Sequence, residues 1–439
     1  MKKNVVIGRC LVLLCLLLNF NVWAAQPYAV KAMFYGGKLI PISRNLKNIQ
    51  PGPLLGGEVD FELLPCGRHT WEQFWGFPTL GIGLVMLDLG TSAKPSGYRV
   101  LGQSMACYPY VLVPIVRGNV FHLYYKVGTG LSFFNKRWNT CDTLHGVAVA
   151  AANAAIGSVV NCYISTGMNM NFNILAGLDV EVEAGYNHMS NGSVLQPNGG
   201  LNILYTEVGL RYDFSRHQTP WPPAQTSRLT YDFALNIAVC CGVRELYYRD
   251  NKRYAVGSLH VGATRVLANF YALGGGIDAF YDGVFVQQGT RGVESYKQHT
   301  YFNRYFINNE DLANKFRVGV CISNEFIMGR VTALLDWGIY VWDPLRNASP
   351  EPHPKYGYKR PLIYGYNINK EDGWNYFRLG LRCRVWDNLF LHVAMKAHLQ
   401  KAEMLELGVG YHLPFTHENL GTAPHVSGYK LLHPDRKRF

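Results

Sequence analysis

Along most of this chain apolar and polar residues alternate one for one. Between Asn119 and Phe134, Phe121, Leu123, Tyr125, Val127, Leu131 and Phe133 share one face, and His122, Tyr124, Lys126, Gly128, Gly130 and Ser132 share the other. Further on, Ile164, Met168, Met170 and Phe172 oppose Asn161, Ser165, Gly167, Asn169 and Asn171. The second half repeats the pattern, with Phe377, Leu379, Leu381 and Val385 opposing Arg378, Gly380, Arg382 and Arg384. A period of two places successive side chains on opposite faces of a β-strand. Strands of a soluble sandwich usually run about 5–6 residues. The longer runs here, with charge on one face, fit a membrane barrel with a polar interior and a lipid-facing wall.

About sixteen such segments start near residues 28, 58, 80, 103, 119, 159, 176, 202, 229, 254, 269, 314, 329, 375, 388 and 403, with boundaries good to a few residues. Their connections alternate in length. Arg117-Gly118, Ala268 and Asp387-Asn388 read as tight turns, whereas 135–158, 282–312 and 342–373 read as long loops. Outer-membrane barrels keep short turns in the periplasm and long loops outside. The pattern therefore predicts an all-β, antiparallel transmembrane barrel of about sixteen strands, with two eight-stranded barrels as the alternative. A single closed sheet is preferred, since closure removes every edge either way and one sheet needs only one insertion event.

Composition agrees. Of 439 residues only 16% are charged, yet mean hydropathy is -0.04, and Tyr (28), Phe (22), Trp (9) and Gly (45) are abundant. Disorder requires few aromatics and much charge, and a helical membrane protein requires several apolar runs of about 20 residues. The one apolar run, Cys10–Phe20, follows Lys2, Lys3 and Arg9 and precedes Val22-Trp23-Ala24, so residues 1–24 read as a secretory signal peptide. The remaining organisation reads as a first barrel half at 25–214, a second at 229–415 and a basic tail at 416–439, with the Pro-rich stretch Ser215–Arg228 between the halves. Glu207-Val-Gly-Leu-Arg-Tyr212 and Glu406-Leu-Gly-Val-Gly-Tyr411 end the two halves alike and suggest duplication.

Parity assigns Lys126, Glu181, Glu183, Glu207, Arg211, Asp213, Asp232, Arg244, Asp278, Arg317, Glu325, Arg330, Asp336, Arg378, Arg382 and Glu406 to the lumen, where buried charges must find partners. The cysteines outside the signal segment show no C-x-x-C pair and no zinc spacing, and several read as small packing residues. No glycine loop precedes a helix in the manner of a phosphate site. No cofactor, metal or nucleic-acid partner is expected. The net charge of +12 is compatible with an anionic lipopolysaccharide surface.

Chemistry concentrates in Tyr186–Asn202. His188 and Ser190 are two apart on a strand and so share a face. Val180, Val182, Ala184 and Tyr186 lie with them, while Glu181, Glu183 and Asn187 lie opposite. The shared face is thus the outside. Across the hairpin, Asn202 shares its face with Leu204, Val208, Leu210 and Phe214, again the outside. A hydroxyl beside an imidazole, with a third group to orient the ring, is the arrangement of an activated nucleophile. On a lipid-facing wall it would meet the acyl esters of a lipid. His398, by parity, points into the lumen and is no second copy of this cluster.

The run His188-x-Ser190-Asn191, followed by Pro197-Asn198-x-Gly200-x-Asn202, resembles the active-site hairpin of the lipid A 3-O-deacylase (PagL) family, most closely its longer acyloxyacyl hydrolase-like branch. The resemblance covers about residues 28–214, and the second half is similar to the C-terminal half of that branch. It implies an outer-membrane serine esterase that removes ester-linked acyl chains from lipid A. Ser190 would then be the nucleophile and His188 its base, with Asn191 and Asn198 forming an oxyanion hole or positioning the loop. Asn202 stands where the deacylases carry a glutamate that orients the histidine. It can hold the imidazole by a hydrogen bond but adds no charge. The competing class is a non-catalytic barrel, a pore or loop-bearing scaffold, which has no use for a Ser-His pair on its outer wall.

Overall fold

The computed structural model describes residues 27–41, 49–215 and 232–415, apart from positions between the strands, the longest such stretch being 288–305. The expected signal segment 1–24, the tail 416–439 and nearly all of the linker Ser215–Arg228 lie outside the described residues, as do parts of the three long connections.

Sixteen long strands are present among the described residues. In the first half they are β1 (Tyr28–Leu39), β2 (Leu54–Leu63), β3 (Thr79–Asp88), β4 (Gln103–Arg117), β5 (Phe121–Phe134), β6 (Val160–Leu175), β7 (Leu178–Ser190) and β8 (Leu201–Asp213). In the second half they are β9 (Phe233–Glu245), β10 (Arg253–Ala268), β11 (Tyr271–Asp282), β12 (Phe316–Met328), β13 (Val331–Trp342), β14 (Asn375–Trp386), β15 (Leu389–His398) and β16 (Lys401–Phe415). Every segment expected from the alternation is found.

The preferred single sheet is not. β8 pairs back onto β1, with Glu207 opposite Tyr35, and β16 pairs back onto β9, with Gly408 opposite Cys240. The chain therefore forms two closed antiparallel barrels of eight strands each. The repeated Glu-x-Gly-x-x-Tyr stretches lie in the two closing strands. The lumen chemistry supplies a reason for the smaller closure. Eight strands leave an interior only wide enough for side chains, whereas sixteen enclose a water channel. In the first barrel the interior is filled by ion pairs. Lys31 Nζ lies 3.0 Å from Asp60, Lys126 Nζ lies 3.0 Å from both Glu58 and Glu183, and Arg211 reaches Glu62 at 2.7 Å and Asp179 at 2.8 Å. Tyr108 donates to Glu58 at 2.6 Å and Tyr110 to Asp60 at 2.9 Å. The second barrel has its own set, with Arg378 joined to Glu406, Asp278 and Asp336 at 2.8, 3.0 and 3.2 Å, and Arg382 to Glu325 at 2.6 Å. Such dense pairing needs partners across a narrow lumen, since removing a buried charge from water is costly unless it is matched.

The faces follow parity. Glu207 and Glu406 are each 2% exposed, while Leu210 and Leu407 are 53% and 49% exposed. Of the charges assigned to the lumen, Asp232 and Arg330 are exceptions. They are exposed in the connections just outside β9 and between β12 and β13, where strand parity no longer applies.

The two barrels touch at both ends. At the end carrying the short turns, the helix α1 (Thr70–Phe74) and the residue after it meet the second barrel: Trp75 Nε1 donates to the Ile327 carbonyl at 2.7 Å and its ring packs on Phe270. At the other end the β7–β8 loop meets the seam of β9 and β16.

Candidate active site

β7 and β8 form the hairpin on which the sequence places the candidate site. Their register places His188 directly opposite Asn202, while on the other flank Ser190 lies opposite Cys162 of β6. Glu181, Glu183 and Asn187 turn inward and are buried, so the alternate positions, including His188 and Ser190, turn outward. The outward cluster is nonetheless well covered: Ser190 is 2% and Asn202 3% exposed.

The structure brings the three expected side chains together. His188 Nε2 lies 2.9 Å from Ser190 Oγ, and His188 Nδ1 lies 2.7 Å from Asn202 Oδ1. Tyr186, one step down the same face, donates its hydroxyl to the same Asn202 oxygen. Sequence reasoning placed Tyr186 on this face but assigned it no part. Its effect is specific. A hydroxyl donating to Asn202 favours the amide rotamer whose oxygen faces the ring. An oxygen there accepts the Nδ1 proton, which leaves Nε2 as the lone-pair nitrogen toward Ser190.

The loop 191–200 closes over this end. Asn191 is spent on holding it: its backbone N–H donates to Asn198 Oδ1 at 2.9 Å, and its Nδ2 donates to Ser158 Oγ and to the Leu195 carbonyl, both at 2.9 Å. Both side-chain donors of Asn191 are thereby committed. The N–H of Gly192, two residues past the hydroxyl, donates to no described residue. Ser158 was read only as part of a loop. It reaches this site because Gly199 and Gly200 donate to the carbonyls of Ala154 and Ala155.

Two glycines are needed for close approach. Gly200 has φ 71°, and a Cβ there would stand 3.0 Å from His188 Cε1. Gly192 has φ 64°, and a Cβ there would stand 3.2 Å from the Cβ of Leu405 in β16. Positive φ of this kind is cheap only for glycine.

Elsewhere, His260, Asp278 and Cys321 converge in the second lumen, as do Asp372, His398 and Glu403. Cations of the protein already occupy both groups: Arg378 binds Asp278, and Arg317 and Lys396 both bind Glu403. His398 is fully buried, with Nε2 2.8 Å from Tyr340 Oη, as expected for a lumen residue. The seven described cysteines outside the signal segment are all free thiols.

Comparison with known proteins places two family models on the chain. The lipid A 3-O-deacylase (PagL) model matches residues 56–211, and the acyloxyacyl hydrolase C-terminal domain matches 229–360 and 361–416. No curated protein matches. Among solved structures, the outer-membrane enzyme PagL is 14% identical, with a TM-score of 0.24, covering 40% of this chain and 97% of its own. Neisserial surface protein A is 10% identical, with a TM-score of 0.26, covering 43% and 97%. A Rhodopseudomonas blastica porin mutant is 9% identical, with a TM-score of 0.15, covering 88% and 99%.

Proposed function

The chain belongs to the lipid A 3-O-deacylase (PagL) family, in the longer form with an acyloxyacyl hydrolase C-terminal domain, and is a bacterial outer-membrane protein; from this we propose that it is a serine esterase that removes ester-linked acyl chains from lipid A. The observation that carries the proposal is the Ser190–His188–Asn202 line, with contacts of 2.9 and 2.7 Å on the outer wall of a barrel.

Ser190 Oγ attacks the ester carbonyl while His188 Nε2 takes its proton. The tetrahedral oxyanion is stabilised by donors of the 191–200 loop, the Gly192 N–H being the first amide after Ser190 that donates to no described residue. Collapse breaks the ester bond, and His188 returns its proton to the departing alkoxide oxygen of lipid A. Water then attacks the acyl-serine, giving one proton to His188 and releasing the fatty acid as the proton returns to Ser190. No cofactor enters either half-reaction.

Asn202 supplies orientation without charge. In a serine protease, exchanging the triad acid for its amide costs about 10⁴ in kcat, mainly through the wrong histidine tautomer. Here the amide oxygen faces the ring and Tyr186 supports that rotamer, so the tautomer component of the loss is avoided. Asn202→Ala is expected to reduce turnover less than His188→Ala, and Asn202→Glu to retain or raise it.

The test is mass spectrometry of lipid A from cells with and without the protein. Wild type should release fatty acid; Ser190→Ala should abolish release, and His188→Ala nearly so, since a hydroxyl is a weak nucleophile without its base. Unchanged deacylation by a correctly inserted Ser190→Ala barrel would refute the assignment.

A further inference from the structure

The nucleophile belongs to the first barrel, but the loop that follows it is gripped by the second. Glu245, the last residue of β9 and 6% exposed, accepts the Gln196 N–H through its carboxylate at 2.7 Å. Its backbone N–H donates to the Ser193 carbonyl at 2.9 Å, and its carbonyl accepts from Gln196 Nε2 at 3.4 Å. Ser193, 4% exposed, donates its hydroxyl to the Ala402 carbonyl of β16 at 2.7 Å. Leu405, also on β16, packs against Gly192.

These contacts connect directly to the reacting serine. Gln196 accepts the Asn198 N–H through Oε1 at 3.1 Å, Asn198 accepts the Asn191 N–H at 2.9 Å, and Asn191 is bonded covalently to Ser190. A charged acceptor makes the stronger class of hydrogen bond, and Glu245 is the only charged group among these links. The first barrel holds this loop through Asn191, Ser158 and the backbone of 154–155. The bonds through Ser193 and Gln196 come from the second.

We propose that Glu245 of the second barrel is a positioning residue for ester hydrolysis, holding the 191–200 loop and its oxyanion-stabilising amides, so that the active site is a two-barrel site. The second barrel thereby acts on the reaction without touching the reacting atoms. This rests on the esterase reading above. A positioning residue acts on the transition state, where a misplacement of 1 Å can cost about 10²-fold in rate. Substrate binding, governed by the acyl chain and the outer wall, should be left nearly intact.

The experiment uses the full-length protein refolded in detergent, with Glu245→Ala, Glu245→Gln and Ser193→Ala compared with wild type. Heat-modifiable migration establishes that each variant has folded. Two readouts are taken: kcat and KM for fatty-acid release from lipid A, and the rate at which a fluorophosphonate labels Ser190. Glu245→Ala should lower kcat by about tenfold or more with KM changed less than about twofold, and slow labelling in parallel. Glu245→Gln, which keeps an oxygen acceptor for the Gln196 N–H, should recover most of the rate. Ser193→Ala, which removes one link, should fall between. Wild-type kcat and labelling rate in a folded Glu245→Ala would overturn the two-barrel site while leaving the esterase intact. A loss in Glu245→Ala that Glu245→Gln does not recover would overturn the acceptor role. Failure of wild type both to release fatty acid and to be labelled at Ser190 would overturn the esterase reading and this inference together.

Discussion

Gly200→Ala isolates the contact between the loop and the imidazole. The residue sits at φ 71°, and an alanine held there costs about 1–2 kcal/mol because Cβ crowds the following carbonyl. The new Cβ would also lie 3.0 Å from His188 Cε1 and 3.7 Å from Nε2. Carbon atoms rest about 3.5–4.0 Å apart, so the ring must retreat by roughly 0.5 Å. It cannot do so freely, because Asn202 holds Nδ1 at 2.7 Å and Ser190 meets Nε2 at 2.9 Å. A retreat of that size away from Ser190 takes the contact past the range of about 2.7–3.2 Å for a good hydrogen bond. With a 1 Å error costing about 10²-fold, the expected fall in kcat is about tenfold. Fatty-acid release from lipid A by refolded protein measures it, and a urea titration of the folded band measures the accompanying loss of 1–2 kcal/mol. Gly36→Ala is the control, since its Cβ would meet only the Thr206 carbonyl at an ordinary 3.9 Å. Wild-type turnover in Gly200→Ala would show that the loop does not fix the imidazole, and the geometric account of the site would fail.

Other perturbations separate the remaining parts of the argument. Tyr186→Phe removes the hydroxyl that supports the Asn202 rotamer, and with one hydrogen bond worth about 0.5–1.5 kcal/mol, turnover should fall roughly twofold to tenfold; an unchanged kcat would remove Tyr186 from the orienting chain. Lys126→Met removes the ammonium that lies 3.0 Å from both Glu58 and Glu183, so the urea midpoint should drop by the equivalent of about 3–5 kcal/mol. An unshifted midpoint would argue against a paired, dry lumen. A nitroxide attached at Leu407→Cys should be relaxed by oxygen dissolved in the bilayer, because that position is 49% exposed on the outer wall; relaxation instead by a polar nickel complex would reverse the faces. The folded protein should fractionate with outer membranes and migrate differently after heating, whereas recovery from the soluble periplasm would contradict the barrel.

The strands and the cluster were legible in the sequence because both depend on local parity. Alternation of period two marks each strand and which residues face outward, so His188, Ser190 and Asn202 could be assigned to one face before any pairing was known. The spacing of His188 and Ser190 within one strand makes their contact nearly independent of the rest of the fold. Which strand closes on which was not legible. An alternating strand looks the same whether its neighbour is β9 or β1, since pairing uses backbone groups that every residue carries. Only the packed lumen, with Lys126 reaching Glu58 and Glu183 from separate strands, discriminates a barrel of eight from one of sixteen. Tyr186 lay in plain view but acquires a role only when its hydroxyl is seen to share the Asn202 oxygen with the imidazole. The approach of Glu245 to the 191–200 loop was wholly invisible: its carboxylate meets the Gln196 N–H 49 positions away on the other barrel, and no local periodicity links the two. Local periodicity determined the elements and the face that carries His188, Ser190 and Asn202. Closure, burial of Ser190 and the grip of one barrel on the other were decided by long-range contacts that exist only in the folded chain.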